Sequence, residues 1–157
     1  MERVIMDYET VGEIEVAVAR HFGTRKHVIV PNVSHGMFNY EMDLCMLNLR
    51  SMYASEVEIK ISKSDLKADA KKVHHHECSS IRYLWFAMPE KLRNCEEYVP
   101  AGAGILLVTT TGYVAEIRKP AVRPTSKWSY EKAFRLARLG TLRIWNLKQI
   151  LIQREKA

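Results

Sequence analysis

The sequence predicts one α/β domain: a mixed central sheet flanked by helices, with further helices at the C-terminal end. Three observations predict it. The chain has 157 residues, the size of one domain. Its hydrophobic spacing switches between helical steps and two-residue alternation in the order helix–strand–strand–strand–helix–strand, with additions after it. Two short apolar runs, Ile81 to Met88 and Gly104 to Thr109, have the composition of strands buried on both faces.

Taken in order, Thr10 to Phe22 reads as a helix. Val11, Ile14, Val18 and Phe22 recur at three- and four-residue steps, and Gly23 follows as a stop. Lys26 to Val33 reads as a strand whose Pro31 marks a sheet edge or a strand end. Tyr40 to Asn48 and Ser55 to Ile61 are two further strands, and the short link between them suits a hairpin. Ser62 to Lys72 reads as a helix with Ser62 as N-cap and Asp65 three residues on. Ile81 to Met88, closed by Pro89, is a central strand, and Glu90 to Tyr98 a short helix. Gly104 to Thr109 pairs with Gly112 to Ile117 through a tight turn. Trp128 to Leu139 and Thr141 to Gln153 read as two basic helices separated by Gly140. No repeat or linker divides the chain, so residues 1–157 form a single domain.

Composition excludes several classes of function. With 47% hydrophobic and 27% charged residues the chain is neither disordered nor collagen-like. No run of ~18 apolar residues offers a membrane span, and the acidic start Met1-Glu2-Arg3-Val4-Ile5-Met6-Asp7 lacks a secretory core. Three cysteines without metal-type spacing, Cys45, Cys78 and Cys95, read as reduced thiols of a cytoplasmic protein. Charge is unevenly placed: residues 118–157 carry a net +9 and residues 1–117 a net −3. A basic segment beside a mildly acidic body suits a polyanion held near a cation site; it also suits a solvated helix surface.

The chemistry lies in two alternating segments. In Ser55-Glu56-Val57-Glu58-Ile59-Lys60-Ile61, strand periodicity puts Glu56, Glu58 and Lys60 on one face and Val57, Ile59 and Ile61 on the other. In the preceding strand Glu41 and Asp43 share a face. If the two strands pair, Asp43 approaches Glu58, since opposite residues are only ~5 Å apart. Two carboxylates that close resist ionising together. A divalent cation relieves them, and hard ions such as Mg²⁺ prefer these oxygens with several retained waters. A lysine two residues on stands beside the metal-bound water, a set suited to phosphodiester hydrolysis. The acids are expected on the solvent side of their strands. Glu116-Ile117-Arg118 has similar spacing, but residues 101–115 before it contain no acid, so it reads as structural.

This arrangement resembles the PD-(D/E)xK nuclease superfamily. The residues that carry the likeness are the first helix, Glu41-Met42-Asp43-Leu44 and Glu56-Val57-Glu58-Ile59-Lys60. Val30-Pro31-Asn32-Val33-Ser34, EVEIKISKSDLKAD and KKVHHH further resemble small phage and bacterial nuclease-like proteins of that group. The likeness covers about residues 9–90 and implies a restriction-endonuclease-like core, with residues 91–157 packed on it. It implies Asp43, Glu58 and Lys60 as the signature residues, and Mg²⁺ or Mn²⁺ held by Asp43, Glu58 and the main-chain carbonyl of Ile59. Met42 stands where the motif's name has proline. Many members add a glutamate from the first helix. Glu13 and Glu15 both qualify, and at ~100° per residue Glu15 lies nearer the apolar stripe.

Around this set, Lys63, Lys67 and Lys71 recur at four-residue steps, joined by Lys72 and by His75 of the run His74-His75-His76. They suit phosphate contacts that add affinity without reading sequence. The histidines also suit a second cation site, or a solvated helix end, where the dipole favours them. Tyr83, Trp85 and Phe86 read as core. Arg135, Arg138 and Trp145 either grip DNA or cap the sheet. The expectation is a metal-dependent DNA nuclease, compatible with a homo-oligomer and with no membrane partner. The rival is a nucleic-acid-binding or assembly protein that keeps the fold without catalysis. An enzyme acting on RNA or free nucleotides is a third reading.

Overall fold

The computed structural model describes residues 8–34, 36–72 and 76–157. Helix α1 (Val11–Phe22) begins in a capping box. Thr10 Oγ1 accepts from the Glu13 N–H at 3.3 Å, and the Glu13 carboxylate accepts from the Thr10 N–H at 2.9 Å. It ends at Gly23, whose φ of 87° suits a residue without Cβ. Strands β1 (His27–Val33), β2 (Met42–Asn48) and β3 (Ala54–Ile59) form an antiparallel meander. Helix α2 (Lys63–Asp69) then carries the chain across to β4 (Ile81–Pro89), which runs parallel to β3. A 3-10 helix (Glu90–Tyr98) leads to β5 (Gly104–Val108), parallel to β4, and β6 (Val114–Arg118) returns antiparallel. The six strands lie in sequence order with β1 at one edge, which tolerates Pro31.

The expected mixed sheet flanked by helices is therefore present. On one face α1 buries Ile14, Ala17 and Val18 against Leu44, Met46, Val57, Ile59, Trp85 and Leu106. On the other, α2 and the 3-10 helix cover Leu84, Phe86, Met88, Ile105 and Leu107 through Leu66 and Leu92. Beside them Trp128 and Leu136 close a third cluster over Val30, Cys45, Leu47 and Ile81. Phe86 and Trp85 are core, as read from the sequence.

Two elements correct the sequence reading. The C-terminal helices are one helix, α3 (Tyr130–Glu155), capped by Ser129. Gly140 does not break it, because glycine in a helix interior costs only ~1 kcal/mol. At that point α3 passes so close to β1 that a Cβ would stand 3.2 Å from Val30 Cγ2. Helix α2 stops at Asp69, so Lys71 and Lys72 lie in the turn beyond it rather than on its face. Among the described residues no helix is long and apolar enough to cross a membrane.

Candidate functional site

The pairing of β2 with β3 sets Leu44 opposite Val57 and Cys45 opposite Glu56, and its continuation sets Asp43 opposite Glu58. Asp43 Oδ2 accepts the Ile59 N–H at 2.8 Å. That N–H is directed at β2, and in a strand the carbonyl of the same residue lies on the same side. Burial, and then the charge of Glu58, push the Asp43 carboxyl up to about 6 despite the Ile59 N–H and the two nearby lysines. On α1, Glu15 is also raised, by burial and by the charge of Asp43. Glu13 is spent in the capping box, with its pKa lowered by the backbone N–H groups of Thr10 and Glu9. The first-helix glutamate near the acid pair is thus Glu15.

Glu58 and Lys60 are not solvent-facing as the alternation suggested. Glu58 is 3% exposed and Lys60 also buried, because α2 lies over this face. Glu58 Oε1 receives Lys60 Nζ at 2.6 Å and Lys72 Nζ at 3.0 Å. Asp69, at the end of α2, holds the same two ammonium groups at 3.0 and 2.9 Å.

Behind them stands His76, which reads from the sequence as part of a solvated helix end. It is 1% exposed. Its Nε2 meets Asp69 Oδ2 at 2.8 Å and its Nδ1 meets Glu56 Oε1 at 2.9 Å, while Tyr40 donates to Glu56 Oε2 at 2.5 Å. With a carboxylate on each nitrogen the ring serves as donor twice and is an imidazolium. Burial opposes that charge, but the bonds to Asp69 and Glu56 prevail and raise its pKa to about 9. Against its own burial, Asp69 is held well below the usual carboxylate range by His76 and Lys72. His76 has a φ of 56°, a conformation that costs a non-glycine residue ~1–3 kcal/mol. Arg123 secures it by donating to its carbonyl at 2.7 Å.

Charge counting separates two places for a cation. Glu56, Glu58 and His76 offer ligand atoms within 4.8 Å of one another, a spacing that could hold an ion. Yet Glu56, Glu58 and Asp69 are matched by Lys60, Lys72 and His76⁺, so this interior group is already neutral. Asp43 and Glu15 are the unmatched acids. The raised pKa of Asp43 records first its burial and then a repulsion by Glu58 that a divalent cation would relieve, and the donors around it are hard oxygens that suit Mg²⁺ or Mn²⁺.

The expected phosphate contacts are scattered. Lys63 and Lys67 lie over the Tyr98 ring, 5.5 and 5.3 Å from its centroid, and Lys71 is exposed. Lys72 turns inward to Glu58 and Asp69, and His75 lies outside the described residues. Arg135 is tied to the Gly36 carbonyl at 2.8 Å, while Trp145 is exposed. Glu116 is structural, paired with His21 at 2.9 Å. Asp69 and Tyr40 escaped the sequence reading, as did the partners of His76, because their contacts span 7 to 20 residues and follow no local period. Glu56 alone carried a signal, its alternation with Glu58.

No family model and no curated protein matches the chain. It is similar to the solved structure of a protein of unknown function from Silicibacter pomeroyi, at 18% identity and a TM-score of 0.63. The likeness covers 99% of this chain and 97% of that one. At that identity it shows the fold alone, an α/β arrangement shared end to end.

Proposed function

We propose that this protein is a divalent-metal-dependent nuclease of the PD-(D/E)xK kind, hydrolysing DNA phosphodiester bonds. The observation that carries the reading is the meeting of Asp43, Glu58 and Lys60 at the β2–β3 pair, with Glu15 beside it. The order α1-β1-β2-β3-α2-β4 supports it, since a helix, an antiparallel meander, a helix and a strand in that order are what the resemblance leads one to expect. Asp43, Glu58 and the Ile59 carbonyl would hold Mg²⁺ or Mn²⁺. When bound, the ion would polarise a phosphoryl oxygen and lower the pKa of its water. Lys60, whose ammonium stands beside Glu58 Oε1 and is anchored by Asp69, would offer its charge to the attacking water or to the charge developing on phosphate. Lys72, whose side chain is 39% exposed while its ammonium turns inward to Glu58 and Asp69, is the more accessible cation of the pair and would be the first to meet an incoming phosphate. Lys63, Lys67 and Lys71, though scattered over α2 and the turn after it, would add phosphate contacts without reading bases.

One observation favours the rival reading of a nucleic-acid-binding or assembly protein: Glu58 Oε1 already carries two ammonium groups. Incubating end-labelled linear, circular and branched DNA, with RNA alongside, in Mg²⁺, Mn²⁺ or EDTA separates the two. Cleavage should need the metal, and Asp43→Ala and Glu58→Gln should each lower it at least about 100-fold, ~2.7 kcal/mol of barrier. Full activity in either variant ends the proposal. A metal-independent gel shift with no cleavage in Mn²⁺ establishes the rival.

A further inference from the structure

Helix α3 runs 26 residues, about 39 Å at 1.5 Å per residue. Its apolar packing on the body lies in the first half, where Ala133, Leu136 and Leu139 meet the cluster beneath β1, and its last tie to the body among the described residues is Arg143, bonded to the Asn32 carbonyl at 2.6 Å. After Leu139, the side chains of Leu142, Ile144, Trp145, Leu147, Leu151 and Ile152 are each between 44 and 63% exposed. Tyr130 and Phe134, on the outward side of the first half, are more exposed still. A helix edging a domain normally keeps its charged face outward, and one that is apolar on several sides is normally covered.

The outward residues follow a coiled-coil rhythm. Phe134, Ala137, Thr141, Ile144, Lys148 and Leu151 succeed one another in alternating steps of three and four, all exposed, on the side away from Leu136 and Leu139. We propose that this seam is where two copies of the chain meet, α3 against α3, antiparallel about a twofold axis at Thr141.

Register chooses both the partner and the direction. Reversing the helix about Thr141 sets Ala137 opposite Trp145, Phe134 opposite Lys148 and, at the margins of the seam, Tyr130 opposite Ile152, while Ile144 and Leu151 lie against the side-chain stems of Arg138 and Glu131. Small then faces large, and an ammonium faces an aromatic ring. Lys148 already sits 5.6 Å from the centroid of its own Trp145 ring, ready for that environment. A parallel pair in register would instead set Lys148 on Lys148 and Ala137 on Ala137. Area agrees. Six large apolar side chains on this side of the helix, Tyr130, Phe134, Ile144, Trp145, Leu151 and Ile152, each 44% exposed or more, offer on the order of 100 Å² apiece, most of the ~800 Å² per partner of a stable interface. Patches of this size are rare on monomers.

Light scattering coupled to size exclusion, on the full chain at tens of micromolar, should report twice the 18.2 kDa chain mass. The double variant Trp145→Glu/Leu151→Glu should halve that mass and keep the far-ultraviolet helix signal, since neither side chain packs on its own body. Direction is read by mild oxidation, with the unsubstituted chain as control for the native thiols. Thr141→Cys should cross-link to itself. Lys148→Cys should cross-link only when mixed with Phe134→Cys. A wild-type mass of one chain at 100 µM overturns the proposal. So does a monomer that is captured by anionic phospholipid vesicles through α3, which would make the seam a membrane-surface helix. Self-linking of Lys148→Cys overturns the antiparallel register.

Discussion

Asp43 is where the resting protein is held under electrostatic tension. Its carboxyl titrates near 6 against an ordinary 3.8, raised by burial and by Glu58. The native state therefore binds the proton more tightly than the unfolded chain does. Stability falls as pH rises from about 4 to about 6 and stays reduced above, by about 2–3 kcal/mol. Asp43→Asn keeps an oxygen for the Ile59 N–H and removes the charge. It should be more stable than wild type by roughly that amount at pH 7 in EDTA, with the gain vanishing below about pH 4; urea unfolding at the two pH values checks it. His76 has the opposite sense. Its pKa is raised from 6.5 to about 9, so its contribution is complete below 6.5 and is lost as pH climbs through 9. Wild type should lose on the order of 3 kcal/mol across that window. His76→Gln should start lower and stay flat, a comparison that isolates this ring from the lysines and tyrosines titrating above it.

Among the elements, α2 is short but decisive. Seven residues bury Leu66 over Leu84 and Phe86 and, through Asp69, turn a strand's outward face into an interior ionic group. Its Ser62 cap, accepting from the Asp65 N–H at 3.2 Å, sets where the helix begins and so where Asp69 arrives. On the opposite side of the sheet β5 opens with Gly104, paired with Trp85 on β4. A Cβ there would run into the Trp85 ring and Pro120. Gly104→Ala should cost about 1–3 kcal/mol by overpacking and quench or shift Trp85 fluorescence, both read in one thermal melt. An unchanged melting temperature would mean that the indole moves freely, against its 7% exposure.

Over the whole molecule the surplus positive charge lies in the last forty residues of the chain, of which Arg123 reaches the buried acids through the His76 carbonyl. The net +9 of residues 118–157 runs through β6, the extended segment and α3, while the acid pair lies at the β2–β3 ends. Arg135 and Arg143 of α3 are drawn onto the Gly36 and Asn32 carbonyls, at 2.8 and 2.6 Å. Part of that basic surplus therefore fastens the helix to the β1–β2 region, and the remainder gives a surface whose attraction for a polyanion would weaken with salt.

The order of elements was legible in the sequence because each one follows a local period. The Ile14–Val18–Phe22 stripe, the alternation of residues 55–61 and the apolar run before Pro89 each report a face or a burial that neighbouring residues share. For the same reason Asp43, Glu58 and Lys60 could be singled out: a hairpin brings its opposite residues together over a short stretch of chain. The burial of Glu58 and Lys60, the Asp69–His76–Glu56 bridge and the inward turn of Lys72 were decided by tertiary packing. They depend on where α2 lands and on a left-handed turn at His76, and charges brought together through space leave no trace in periodicity. The continuity of α3 through Gly140 was likewise settled by its approach to Val30 on β1, where contact with the sheet outweighs a helix propensity worth ~1 kcal/mol.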